Sequence, residues 1–99
     1  MIIDSPANPT VKLLRSLDLA KHRAERKLFL VEGVRAVEDG LSAGYRPAIC
    51  LYNPELLART ERGKKLLEQL TSPEFAGKGT TLAEATVRAL EAASALGRT

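Results

Sequence analysis

Apolar residues take up a helical period at Val11, Leu14 and Leu17, with Leu13 beside Leu17, so a helix through them buries one stripe and exposes the other. Asn8 followed by Pro9 supplies its start, an N-cap side chain and then a proline at the first helical position. The helix either runs on through Ser16-Leu17-Asp18 or breaks there, with Ser16 or Asp18 capping a second short helix to about Arg26. The period then gives way to the continuous apolar run Leu28-Phe29-Leu30-Val31, closed by Glu32-Gly33. Such a run suits a strand buried on both faces, as in parallel sheets between helices. From Val34 the spacing is helical again. Val34, Val37 and Leu41 form an inward face, Arg35, Glu38 and Asp39 fall elsewhere, and Gly44 stands where a left-handed residue closes a helix.

Beyond it, Ala48-Ile49-Cys50-Leu51-Tyr52 is a second short apolar run, and Asn53-Pro54 repeats the cap-then-proline start. Two apolar runs separated by a helix predict neighbouring parallel strands over 28–31 and 48–52, joined by a right-handed crossover. Residues 54–70 predict helix, with Leu56, Leu57, Leu66, Leu67 and Leu70 inward, Arg59, Arg62, Lys64 and Lys65 outward, and Gly63 as a point where it can divide. Residues 71–79 hold a proline and two glycines and read as loop. The pattern then forks. Thr81 and Glu84 have capping-box spacing for a helix from Leu82, whereas residues 80–85 can form a third strand, with Thr86 capping a helix from Val87 to about Leu96. The weak β-propensity of alanine favours the first choice.

A chain of 99 residues makes one small domain. No apolar stretch approaches the roughly 20 residues that cross a bilayer, and the N-terminus has neither the basic start nor the apolar core of a secretory signal; a cytoplasmic protein is expected. One cysteine and one histidine cannot build a structural zinc site. Cys50, inside an apolar run, reads as an inert buried thiol. With no Gly-rich phosphate loop and no nucleophile beside a base, a stand-alone enzyme is the weakest reading.

Charge changes this picture more than composition does. The formal charge is only +3, but Lys12, Arg15, Lys21, Arg23, Arg26 and Lys27 stand against Asp18 and Glu25 alone, a net +4 over residues 11–27. A basic segment of this kind attracts phosphates, although such helices also serve as solvated faces. The Glu32-Gly33 junction, with Arg35 beyond it, places a helix N-terminus at the end of a predicted strand, an edge where polar ligands bind. Gly33 would let a phosphodiester backbone come close there. The plainer reading is that Gly33 turns the chain and Glu32 caps the helix.

The order Ser5-Pro6, Asn8-Pro9, Val11-Lys12, Leu14-Arg15, Lys21, Arg23 and Phe29-Leu30-Val31-Glu32-Gly33 with Arg35 and Val37 resembles the N-terminal substrate-binding domain of the SpoU (TrmH-type) RNA ribose 2′-O-methyltransferases. The resemblance is strong from Ile3 to about Leu57 and weak beyond Leu70. It implies an L30e-like fold, a three-layer α/β/α sandwich with a short, mainly parallel sheet. It also implies the strand-then-capped-helix reading of residues 80–96. In the family the chain continues into a knotted S-adenosylmethionine-binding catalytic domain, so residues 1–99 are expected to form a single RNA-binding domain that by itself neither binds that cofactor nor transfers a methyl group.

The expected function is therefore recognition of structured RNA, rRNA or tRNA, on behalf of a catalytic methyltransferase domain. The expected site is Asn8, Lys12, Arg15, Lys21, Arg23, Arg26, Glu32, Gly33 and Arg35, the cations neutralising phosphates and the Glu32-Gly33-Arg35 helix start meeting the RNA. Arg23 can alternatively serve as a structural ion-pair partner of Glu32 or Glu25. Of the four aromatic residues, Phe29 and Tyr52 read as core, which favours recognition by shape over stacking. The competing function is that of an L30e-like protein-docking or homodimerisation module with no catalytic role.

Overall fold

The computed structural model describes residues 2–75 and 79–94. Helix α1 spans Pro9–Ser16, opened by the Asn8 side chain, whose Oδ1 accepts from the Thr10 N–H at 2.8 Å. The helix does break after Ser16, and α2 spans Ala20–Arg26. Neither expected cap is used: Leu19 occupies the N-cap without a side-chain bond, and the Ser16 hydroxyl donates back to the Leu13 carbonyl at 2.6 Å. Lys27 ends α2 in the left-handed region, at φ 56°.

Residues 28–31 do not form the expected strand. Their backbone is irregular, and Phe29, Leu30 and Val31 make no backbone hydrogen bond to the described residues. Burial alternates, with Leu28 and Leu30 packed on the core while Phe29 and Val31 are exposed. The run is apolar throughout, but only every second side chain finds a neighbour. Helix α3 follows at Val34–Ser42, and Gly44 and Tyr45 close it by donating to the Leu41 and Gly40 carbonyls, the paired pattern of a Schellman end.

Strand β1, Ile49–Tyr52, pairs in parallel with β2, Thr81–Glu84, in register Ile49 to Thr81 through Tyr52 to Glu84. The parallel partner of β1 is thus β2 and not residues 28–31. The crossover runs through α4, Pro54–Leu57, and α5, Glu61–Leu70, whose division falls at residues 58–60, ahead of Gly63. Thr60 caps α5 by accepting from the Gly63 N–H. On the far side of β2, Ile3 forms a parallel bridge to Ala85. Thr86 then caps α6, Val87–Ala93, so strand and capped helix prevail over the capping-box reading. The predicted end of that helix near Leu96 lies outside the described residues.

The main core joins Val11, Leu14 and Leu17 of the α1 region to Ala85, Ala89 and Ala93 at the start and along one face of α6. Alanines at that spacing keep α6 thin, which lets α1 lie close. Ile49 and Leu51 pack on this cluster; strand alternation turns Cys50 and Tyr52 to the opposite face. Helix α5 packs on α3 and α4, and Leu66, Leu70 and Phe75 are buried apart from the main core. Six helices and a small parallel sheet among the described residues make the α/β architecture the sequence implied.

Candidate functional site

On α1 the positions opposite the buried stripe are Pro9, Lys12, Leu13 and Ser16, spaced at i, i+3, i+4 and i+7, so they share one face. On α2, His22 and Arg26 are an i, i+4 pair. The turn at residues 17–19 brings these two faces together around a groove of about 320 Å³, lined by all six residues. Lys12 and Arg26 thus line one shallow concavity from separate helices and make it attractive to an anionic group. His22 contributes an imidazole whose Nδ1 is 3.6 Å from Glu25 Oε2. The break in the helix, left open by the sequence, is what makes the groove.

Arg23 has a different position. Its Nη1 donates to the Leu17 carbonyl at 2.9 Å and the Asp18 carbonyl at 3.0 Å, tying α2 to the turn that follows α1. Both bonds are to backbone carbonyls, and Glu25 pairs with His22, so Arg23 fixes the turn on which the groove depends. Asn8 acts as the α1 cap. Lys21 and Arg15 are exposed on their helices and do not line the groove. Glu32, Gly33 and Arg35 sit at the start of α3, away from the groove lining; Gly33 is the N-cap at φ 91° and ψ 152°, a conformation open essentially to glycine alone. His22, Ser16, Pro9 and Leu13 are groove residues beyond the expected set. Ser16 follows Lys12 by four residues, His22 precedes Arg26 by four and Pro9 precedes Lys12 by three, a same-face spacing the sequence did contain.

A second groove, of about 330 Å³, opens at the carboxyl ends of β1 and β2, between Ile2, Asn53, Pro54, Glu55, Glu84, Ala85, Thr86 and Val87. Open α/β sheets often take ligands at this edge. Here the charged lining is Glu55 and Glu84, which repels a polyanion, so charge favours the α1–α2 groove for phosphate. Burial pushes the Cys50 thiol up, and burial, then the Glu84 carboxylate and Cys50, push the Tyr52 phenol up. Both groups stay protonated at neutral pH and make poor nucleophiles. Among the described residues no cluster of three or more His, Cys, Asp or Glu could hold a metal ion, and no helix is long and apolar enough to cross a membrane.

Fold and groove together define a small α/β domain with a cation-lined groove between α1 and α2. The family model of the MRM3-like substrate binding domain matches residues 8–97, from the Asn8 cap onward, and the chain belongs to that family. No curated protein matches the chain.

Proposed function

We propose that this domain holds the RNA substrate of a SpoU-type ribose 2′-O-methyltransferase, an rRNA or tRNA, while a catalytic domain supplies the S-adenosylmethionine site. The observation that carries the reading is the pairing of Lys12 and Arg26 across the α1–α2 groove in a chain of a substrate-binding family. Facing cations of this kind neutralise backbone phosphates, and each neutralised phosphate releases counterions. Arg15 and Lys21, exposed on the groove helices outside the groove lining, extend the field along the RNA, and Arg35 with the Gly33 helix start offers a further approach. Phosphate contacts position the substrate without reading its sequence.

Titration of folded tRNA over a range of salt tests the reading. Lys12→Gln and Arg26→Gln each weaken binding for all RNAs alike and flatten the log–log salt slope by about 0.7 to 0.9 for the lost contact. Arg23→Gln is expected to destabilise the fold by about 1 kcal/mol for its lost bonds, read as a lowered melting temperature, while leaving the slope of the remaining binding unchanged. If the Lys12 and Arg26 variants bind with the parent's affinity and slope, the groove is not the RNA site. Salt-insensitive RNA binding, or none, would favour a protein-docking module instead.

A further inference from the structure

Phe29 and Tyr45 meet from the two flanks of α3. Their ring centroids are 5.6 Å apart and their planes stand at 86°, yet the residues remain 58% and 62% exposed. Core packing does not account for them, because Leu28 and Leu30 are the members of that segment that reach the core. An edge-to-face pair covers one face of one ring and leaves flat aromatic surface open to solvent.

Two cations and the carboxylate of Glu32 lie within three residues of Phe29. Lys27 and Arg26 precede Phe29 by two and three residues, so chain reach alone keeps their Cα atoms within about 7 and 11 Å of it. That is about one Debye length at physiological salt. Arg26 also lines the α1–α2 groove, so Phe29 lies within three residues of a groove cation. On the other flank Arg46 is held in place: its Nη2 donates to the Glu74 carbonyl at 2.7 Å, and its guanidinium lies 4.8 Å from the Phe75 ring centroid. These contacts anchor the backbone next to Tyr45.

We propose that the Phe29–Tyr45 pair is a stacking site for an unpaired nucleobase of the RNA whose phosphates occupy the Lys12–Arg26 groove. The inference rests on the RNA reading above and adds a second mode to it. Every base has a π face, so stacking on an aromatic ring is tolerant of sequence, while the nearby cations hold the backbone. A base in a duplex is already stacked and gains nothing here. The site therefore selects loops, bulges and single strands, the parts of an RNA where proteins read bases. It replaces the expectation of recognition by shape alone, which took Phe29 for a core residue.

Two probes separate the contributions, a short oligoadenylate and a blunt RNA duplex of equal length. Phe29→Leu and Tyr45→Leu keep apolar bulk and remove the ring; each is expected to weaken oligoadenylate binding about tenfold and to leave duplex affinity and the salt slope unchanged. The chain has two tyrosines and no tryptophan, so Tyr52→Phe leaves Tyr45 as the sole tyrosine emitter with both rings of the pair intact. Its emission is expected to be quenched by oligoadenylate and not by the duplex. Ring variants that bind oligoadenylate as the parent does, or a Tyr45 emission indifferent to it, overturn the stacking site. If the Lys12 and Arg26 variants still flatten the slope in that case, the RNA reading stands alone. A parent that binds neither probe removes both. Ring variants that turn a dimer into a monomer in sedimentation, with oligoadenylate binding unchanged, would assign the pair to a second copy of the chain.

Discussion

Gly63 lies in the first turn of α5 against the backbone of Leu57, and a Cβ placed there would overlap the Leu57 carbonyl. That carbonyl belongs to α4 and cannot swing aside as a side chain can, so the two helices would have to part. Gly63→Ala is expected to destabilise the domain by about 1–3 kcal/mol, whereas Gly40→Ala, in α3 with open space around the added Cβ, should leave stability unchanged or raise it by up to about 1 kcal/mol. Thermal melts of the two variants side by side decide the matter, and equal melting would refute the close approach. In the sequence Gly63 reads as a divider of the helix, since low helix propensity is a local property. The contact that explains it is not local. Asn8 and Asn53 were legible for the opposite reason, because a cap bonds to its own helix. Even so, the Asn53 Nδ2 bond to the Ala85 carbonyl at 3.0 Å, which crosses to the end of β2, left no trace in the neighbouring residues.

The same contrast governs the elements. The run at 28–31 has the composition of a strand and no ladder, while Thr81–Glu84, with a threonine, an alanine and a glutamate among its four residues, has a ladder. Pairing decides, and a strand partner is a property of the whole chain. The family resemblance found the second strand because it carries three-dimensional information that propensity lacks. It could not reveal which residues of 28–31 face outward. Hydrogen exchange reports on this difference directly. The amides of Phe29, Leu30 and Val31 are expected to exchange quickly, although Leu28 and Leu30 touch the core, because nothing among the described residues accepts from them. Those of Ala85 and Thr86, bonded to the Tyr52 and Ile3 carbonyls at 2.8 and 2.9 Å, are expected to exchange only on larger opening. Strong protection at 29–31 would show a ladder there after all. The site was legible in the same partial way. The cations were visible as a charge run, but the groove that pairs Lys12 with Arg26 depends on the break after Ser16, which the sequence left undecided.

At the scale of the molecule, the two ends of the described chain complete one another. Ile3 bridges to Ala85, and the Thr86 hydroxyl donates to Asp4 Oδ1 at 2.9 Å across a separation of 82 residues. The apolar stripe of α1 is covered by Ala85, Ala89 and Ala93. Ala89 is fully buried, and Ala89→Leu would push α6 off α1 at a cost of about 1–3 kcal/mol. Because this core draws on both ends of the chain, the variant should still unfold in one step, with circular dichroism and tyrosine emission sharing a lowered midpoint. Separated midpoints would mean that the halves fold independently. The same arrangement bears on how the domain is made. A ribosome delivers Val11, Leu14 and Leu17 early and the alanines that cover them only some seventy residues later. Until then the nascent chain carries an amphipathic segment, basic on one side and apolar on the other, whose stripe has Leu28, Leu30, Ile49 and Leu51 to pack on it but not yet the alanines. Part of the apolar stripe therefore stays open until α6 emerges, and a translational pause before α6 would prolong that exposure.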